Sequence, residues 1–257
     1  MGDFANIADK IWVFMAVLAR MSGLFLIAPF LAHYSIPRVV KMCLAVLVSL
    51  VFFPIVASRA PSAPDGMWEC VIMLVQELAV GLIIGFVGML YFSAAKVAGE
   101  LVSMQMGLRF ATIALPGGDP RLAVLGALNY TVALVILLVM NGHHWFFQAI
   151  LHSYRTVPIG EFVWTSLRSE KLLALFGNVF AVGFKLAAPA MAVLMLATVG
   201  IVVLARMVPQ MNVFIVGLPV RIGVGLAMVG TTFPLLLYVF SKLFIQMRRD
   251  ILFMANG

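Results

Sequence analysis

The sequence predicts an all-α, membrane-associated protein of long, kinked helices and hairpins, and three observations carry that prediction. Of 257 residues, 64% are hydrophobic and only 11% charged, with a mean hydropathy of +1.12. Soluble domains carry about 25% charged residues, and no water-soluble core could hide this much apolar surface. The apolar residues gather in six segments, at roughly 11–32, 38–57, 68–95, 123–151, 172–205 and 212–247, and a membrane span needs about 20 such residues. Prolines fall inside several of them, at Pro29, Pro189, Pro219 and Pro234, and proline removes a helical hydrogen bond and bends or ends the helix that holds it.

Composition also excludes. The net charge is +7, but the cations are scattered singly, without the basic stripe and interleaved aromatics that nucleic acid requires. Their densest group, Lys242 with Arg248 and Arg249, reads as a juxtamembrane anchor facing anionic membrane lipid. Cys43 and Cys70 lie in or beside apolar runs and read as small core residues, and no Cys/His spacing supports a metal or a redox pair. No cofactor is expected. No Ser/His/Asp arrangement and no paired intramembrane carboxylates appear, so the chain is not expected to be an enzyme. Its first ten residues carry Asp3 and Asp9 against Lys10, and the apolar run behind them is too long for a cleaved signal. That run is expected to be a retained helix.

In chain order, Pro29 is expected to kink or end the first helix and Pro37 to open the second. The second should end near Pro54, before the solvent loop Ser58–Gly66. The third segment carries Gly81, Gly85 and Gly88, a small-residue face that lets another helix approach closely. It also carries Glu77, and then Lys96 and Glu100, which are four apart and can pair on one helix face. That pair is either a satisfied structural contact or a relay. The fourth segment contains Asn141-Gly142-His143-His144-Trp145. Two adjacent histidines should point to different faces of a helix, poor geometry for a shared metal, and Trp145 fits an interfacial belt. After Tyr154, Val157-Pro158-Ile159-Gly160-Glu161 should turn. The fifth and sixth segments are long enough for a helical hairpin, with Arg206 neutralising the carbonyl end of the fifth and Asn212 capping the sixth.

Arg20, Lys185 and Arg221 lie well inside apolar runs. An unpaired charge in lipid costs at least about 2.5–3.5 kcal/mol, so these side chains should face other protein or water. The rule that basic residues stay on the cytoplasmic side does not orient six spans. Lys10, Arg59, Arg155, Arg168, Lys171, Lys242, Arg248 and Arg249 fall on one side, and Arg38, Lys41, Lys96, Arg109, Arg121 and Arg206 on the other. So even a division weakens the assumption that each segment simply crosses a bilayer.

One stretch breaks the apolar pattern without reading as a polar connector: Gln105-Met106-Gly107-Leu108-Arg109-Phe110-Ala111-Thr112-Ile113-Ala114-Leu115-Pro116-Gly117-Gly118-Asp119-Pro120-Arg121. Its first half is apolar with a single charge, and its second half is a turn cluster that no helix could carry. Irregular backbone at membrane depth survives only where protein buries it or where it lines a water-filled cavity. It either sits in or beside a passage, or it is a short ordered loop.

Four groups of residues then resemble a known family. They are Ala19-Arg20-Met21-Ser22-Gly23 through Ala28-Pro29 to Ile36-Pro37-Arg38; Ala98-Gly99-Glu100 and Gln105-Met106-Gly107-Leu108 with Phe110-Ala111; Asn141-Gly142-His143 with Ser153-Tyr154 and Val157-Pro158-Ile159-Gly160; and Ala205-Arg206-Met207-Val208-Pro209-Gln210-Met211-Asn212-Val213-Phe214 with Gly217-Leu218-Pro219. Jointly, and in this order, they resemble the FliR-type component of the flagellar type III export gate and its virulence-secretion counterparts. The resemblance implies a FliP-like part, 1–165, followed by a FliQ-like helical hairpin, 166–257, dividing near Glu161–Leu172. It implies FliP-type and FliQ-type subunits as partners, an FlhB-type switch protein, and passage of unfolded exported flagellar proteins at the bacterial inner membrane. Subunits of such gates pack at steep angles and stand partly out of the bilayer plane, which would account for the indecisive charge distribution. The family's plug loop maps onto Gln105–Pro120. Many relatives place Asp-Pro soon after the Phe-Ala pair, whereas here Leu115-Pro116 precedes Asp119-Pro120, which leaves the ends of the plug and a role for Asp119 open. Two readings compete with a flagellar gate: a virulence export gate, and a secondary transporter with broken helices around Lys185 and Arg221.

Overall fold

Apolar segments without water to satisfy their backbone must bond it internally, and the helix does so within one segment. The structure is a computed structural model that describes residues 2–32, 36–58, 61, 64, 66–108, 124–208, 210 and 213–256. Among these the chain forms α1 (Gly2–Ile27), α2 (Arg38–Ala57), α3 (Met67–Met106), α4 (Val124–Val139), α5 (His143–Thr156), α6 (Ser166–Met207) and α7 (Val213–Ala255), with no strand. The all-α membrane class is therefore observed. Five of these helices are long and apolar enough to cross a membrane, and six spans result if α4 and α5 count as one.

Some boundaries follow the sequence expectation and others differ from it. Helix α1 ends at Ile27, just before Pro29 as expected, and the backbone turns through Leu31 N–H donating to Ala28 at 3.0 Å. Pro37 stands one residue outside α2 with φ −55° and ψ 142°. Helix α2 does not stop at Pro54 but runs through it to Ala57, because one missing N–H costs less than exposing a turn of backbone beside apolar surroundings. Pro189 in α6 and Pro219 and Pro234 in α7 are carried in the same way.

The fourth segment is two helices bent by 67°. At the break Asn141 takes φ 54°, a left-handed conformation that Asn tolerates better than most residues, and Gly142 precedes the new helix. Helix α3 continues 40 residues, through Lys96 and Glu100 to Met106. At 1.5 Å per residue it is about 60 Å long, twice the about 30 Å hydrocarbon core. Helices α6 and α7, with 42 and 43 residues, are longer still.

The chain packs as two units. The first comprises Met1–Leu90, Leu138–Leu173 and Phe244–Gly257. Its core joins Ala16, Val17, Met21 and Leu24 of α1 to Ile84 and Val87 of α3 and to Phe146 and Ile150 of α5, all fully buried. Close approach of α1 to α3 depends on glycine: a Cβ on Gly23 would run into the Leu78 carbonyl oxygen, and one on Gly81 into that of Arg20. The second comprises Tyr91–Leu137 and Ala174–Leu243. There Val102, Met106, Leu125, Ala187, Ala190 and Leu194 form the core. Neither unit coincides with the expected parts 1–165 and 166–257, whose division rests on likeness to other subunits rather than on contacts within this chain.

Candidate functional site

In the first unit the structure gathers charge. Arg20 of α1 and Glu77 of α3 are both fully buried. They form a two-pronged pair, Arg20 Nε donating to Glu77 Oε2 at 2.6 Å and Arg20 Nη2 to Oε1 at 2.9 Å. The rest of the guanidinium is also satisfied. Nη1 donates to Ser153 Oγ at 2.8 Å and Nη2 to the Val157 carbonyl at 3.3 Å, while the guanidinium carbon lies 3.9 Å from the Tyr154 ring centroid. Glu77 Oε1 accepts a further bond from the Gly160 N–H at 3.2 Å. That N–H is presented by the turn after α5. Glu161 N–H donates to the Pro158 carbonyl at 3.2 Å, and Gly160 has φ 81°, the conformation that the third position of a type II turn demands and that glycine adopts freely.

Burying two ions costs several kcal/mol each unless geometry and additional bonds compensate. Here planar guanidinium meets planar carboxylate, the strongest form of the contact, and both ions carry further partners. The cluster thus ties α1, α3, the end of α5 and the following turn into one arrangement. The Arg20 nitrogens and the Glu77 oxygens are already paired, and of this cluster only the buried Tyr154 hydroxyl lacks a partner among the described residues, so the charged pair offers no open position for a reacting atom and its role is to hold.

In the second unit α3 ends where the 105–121 stretch begins. Gln105 and Met106 are helical, so α3 carries the first two residues of the stretch and ends just before Gly107. Met106 is fully buried, and a Cβ on Gly225 of α7 would lie 2.5 Å from its Sδ. Gly107 has φ 77° and donates its N–H to Met104 at 3.1 Å, a left-handed helix terminus that favours glycine. Leu108 packs half-buried on the same core. The remaining plug candidates, Arg109 to Pro120, lie outside the described residues.

The other candidate charges do not gather. Lys96 and Glu100 pair at 3.7 Å, both well exposed. Lys185 is exposed on α6, and Arg206 is exposed in its last turn. Arg221 is half-buried on α7, with its Nε unpartnered among the described residues. Of the glycines, Gly81 and Gly85 lie against α1, the latter 3.2 Å from the Ala28 nitrogen for an added Cβ, and Gly88 lies against the Phe146 ring. Two expectations are corrected. Cys43 is exposed rather than a core residue, because α2 turns most of its apolar surface outward. The His143 and His144 rings, expected to point to different faces, are neighbours with 4.1 Å between centroids. They open α5, where no preceding turn crowds the side chains. No group of three His, Cys, Asp or Glu side chains that could hold a metal occurs among the described residues.

The sequence reading missed how Ser153, Tyr154 and Gly160 converge on Arg20. It also missed a second fastening in this unit. Arg168 donates to the Val163 and Asn256 carbonyls at 2.5 and 3.2 Å, Thr156 Oγ1 donates to the Ala255 carbonyl at 2.8 Å, and Lys171 pairs with Asp250 at 2.8 Å. The sequence signal for the first set was the Pro-Ile-Gly turn placed just after Ser-Tyr; for the second set there was none beyond isolated polar residues.

Fold and site together define a helical membrane protein whose polar interior fastens helices to one another, with no reaction centre among the described residues. The model of the family "Bacterial export proteins, family 1" matches residues 11–247, and the chain belongs to that family. It is similar to the Flagellar biosynthetic protein FliR of Escherichia coli K12, 31% identical over 91% of this chain and 88% of the relative. The FliR of Pectobacterium carotovorum is likewise 31% identical, over 94% and 92%. The Yop proteins translocation protein T of Yersinia pestis is 27% identical over 80% and 79%. The FliR-type resemblance drawn from the four motif groups is thereby established.

Proposed function

We propose that the chain is a non-enzymatic subunit of the flagellar type III protein export gate at the bacterial inner membrane. With FliP-type and FliQ-type subunits it forms the channel for unfolded flagellar proteins, and an FlhB-type switch protein is a further partner. The observation that carries this reading is the end-to-end similarity to FliR proteins, at 31% identity over 91% of the chain for one of them. The paired, closed chemistry of the Arg20–Glu77 cluster supports a holding role and gives no support to catalysis. Residues 1–165 are the FliP-like part and 166–257 the FliQ-like hairpin.

The segment Gln105–Pro120 plugs the closed pore. Leu108, Phe110, Ile113 and Leu115 supply apolar contacts that exclude water and ions, and Gly107, Gly117 and Gly118 supply the freedom to move. The left-handed Gly107 at the end of α3 supports a hinge there. Arg20, Glu77, Lys96, Glu100, Lys185, Arg206 and Arg221 serve assembly, inside the subunit or towards partners. The similarity to the Yersinia translocation protein favours one alternative, a virulence export gate.

Extraction in mild detergent tests the subunit claim. The chain is expected to emerge with two other small membrane proteins and to be inert alone. Recovery as a lone monomer that takes up solute into vesicles would replace the gate by a secondary transporter.

A further inference from the structure

A cavity of about 380 Å³ lies in the first unit where α2 ends. Ile55 of α2 and Ser58 just after it, Leu151, Tyr154 and Arg155 of α5, and Ile159 of the following turn contribute to its wall. Its volume falls in the range of about 300–1,000 Å³ that holds small organic ligands. We propose that this cavity binds the headgroup of an anionic phospholipid, its phosphate on Arg155 and an acyl chain along α2.

Three observations converge on that occupant. Arg155 is exposed at the cavity and makes no hydrogen bond or ion pair among the described residues, whereas in the same unit Arg20 donates from all three guanidinium nitrogens and Arg168 from Nη1 and Nη2. Arg155 also stands in the last turn of α5, where a cation offsets the carbonyl end; that role leaves the forked donors of the guanidinium free for a phosphate, which they fit. Next, Leu47, Val51 and Ile55 are exposed at 59%, 66% and 53%. Four residues apart, they form one ridge on α2, about 12 Å long, that leads into the cavity at Ile55 and suits a hydrocarbon chain. Finally, α2 is a 20-residue apolar helix long enough to cross a membrane, and Ser58 follows its last turn. The cavity therefore lies at the level where a span meets polar chain, which is the headgroup level. A partner's carboxylate would match Arg155 alone; a lipid accounts for the cation, the cavity and the ridge in one molecule. The inference needs only the membrane reading and is independent of the export role.

Native mass spectrometry of the detergent-extracted complex tests it, comparing the unaltered chain with Arg155→Gln, with the charge-conserving Arg155→Lys, and with Ile159→Trp, which fills the cavity. One phosphatidylglycerol is expected to stay with the unaltered chain and with Arg155→Lys. In the other two its retention should fall about fivefold or more, the effect of one basic contact to an anionic lipid, with partner subunits still bound. Excess inorganic phosphate should not displace it. Equal lipid retention in all four proteins would overturn the proposal. Displacement by inorganic phosphate would make the cavity a free-phosphate site instead, and loss of a partner subunit rather than of lipid in Arg155→Gln would assign Arg155 to a protein contact.

Discussion

Arg20 and Gly107 sit in the two units and hold their surroundings in opposite ways. Around Arg20, four chain segments are fixed by charge: a buried pair with distances of 2.6 and 2.9 Å, two more donated bonds, a ring and a turn N–H. Around Gly107 no hydrogen bond from a polar side chain occurs among the described residues. A helix ends on one left-handed glycine, with Met106 buried before it and Leu108 half-buried after it. The first arrangement fails if Arg20 or Glu77 is lost, because a buried charge would remain unpaired. The second rests on dispersion, on the absence of a Cβ and on one backbone bond from the Gly107 N–H to Met104, so its release would leave no buried charge unpaired. Under the proposed function the first is a frame that does not yield and the second a stopper that does.

The largest expected effect lies in the frame. Arg20→Ala or Glu77→Ala leaves its partner buried and unpaired, a loss of about 3–5 kcal/mol. Either variant should drop to a small fraction of normal abundance in the membrane by immunoblot, and normal accumulation of Glu77→Ala would show that the pair does not hold the unit together. Next comes Gly81→Ala. Its Cβ meets the Arg20 backbone carbonyl, which cannot step aside as a flexible side chain would, so about 1–3 kcal/mol of strain is expected. Gly177→Ala is the control, with nothing within 4 Å of the added Cβ and a slightly better helix former in place. Thermal unfolding of the complex should separate the two variants; equal midpoints would dissolve the close-packing account of α1 and α3. The smallest effect belongs to Lys96 and Glu100, whose exposed pairing at 3.7 Å is worth about 0.3–0.5 kcal/mol. Replacing both by Gln should leave assembly and motility unchanged. Loss of motility with normal assembly would revive the relay reading of this pair.

The helices were legible because apolar runs and their glycine faces are local patterns, and Gly81 and Gly85 do lie against a neighbouring helix. The limits of helices were less legible. Pro54 did not end α2, since a membrane-suited helix tolerates one missing N–H, and Asn141 bent the fourth segment through a backbone conformation that no periodicity reveals. The charge cluster was half visible. Arg20 inside an apolar run required a partner, but nothing in the sequence names Glu77, 57 residues away, or the Ser153 hydroxyl 133 residues away. Such pairing is tertiary and becomes readable only when α1, α3 and α5 are packed. The segment Gln105–Arg121 was conspicuous for the opposite reason, as turn residues placed where the surrounding chain is apolar, and its helical lead-in through Met106 is what the structure adds.

Ion conductance across membranes that hold the assembled gate tests the account most directly, comparing the full chain with a deletion of Leu108–Pro116. Because the deletion leaves Arg20, Glu77 and the buried Met106 in place, assembly with partner subunits should be normal. The expected result is a gate that leaks ions when the segment is missing and stays closed when it is present. A deleted gate that assembles normally and conducts no more than the intact one would contradict the division between a fixed frame and a releasable stopper.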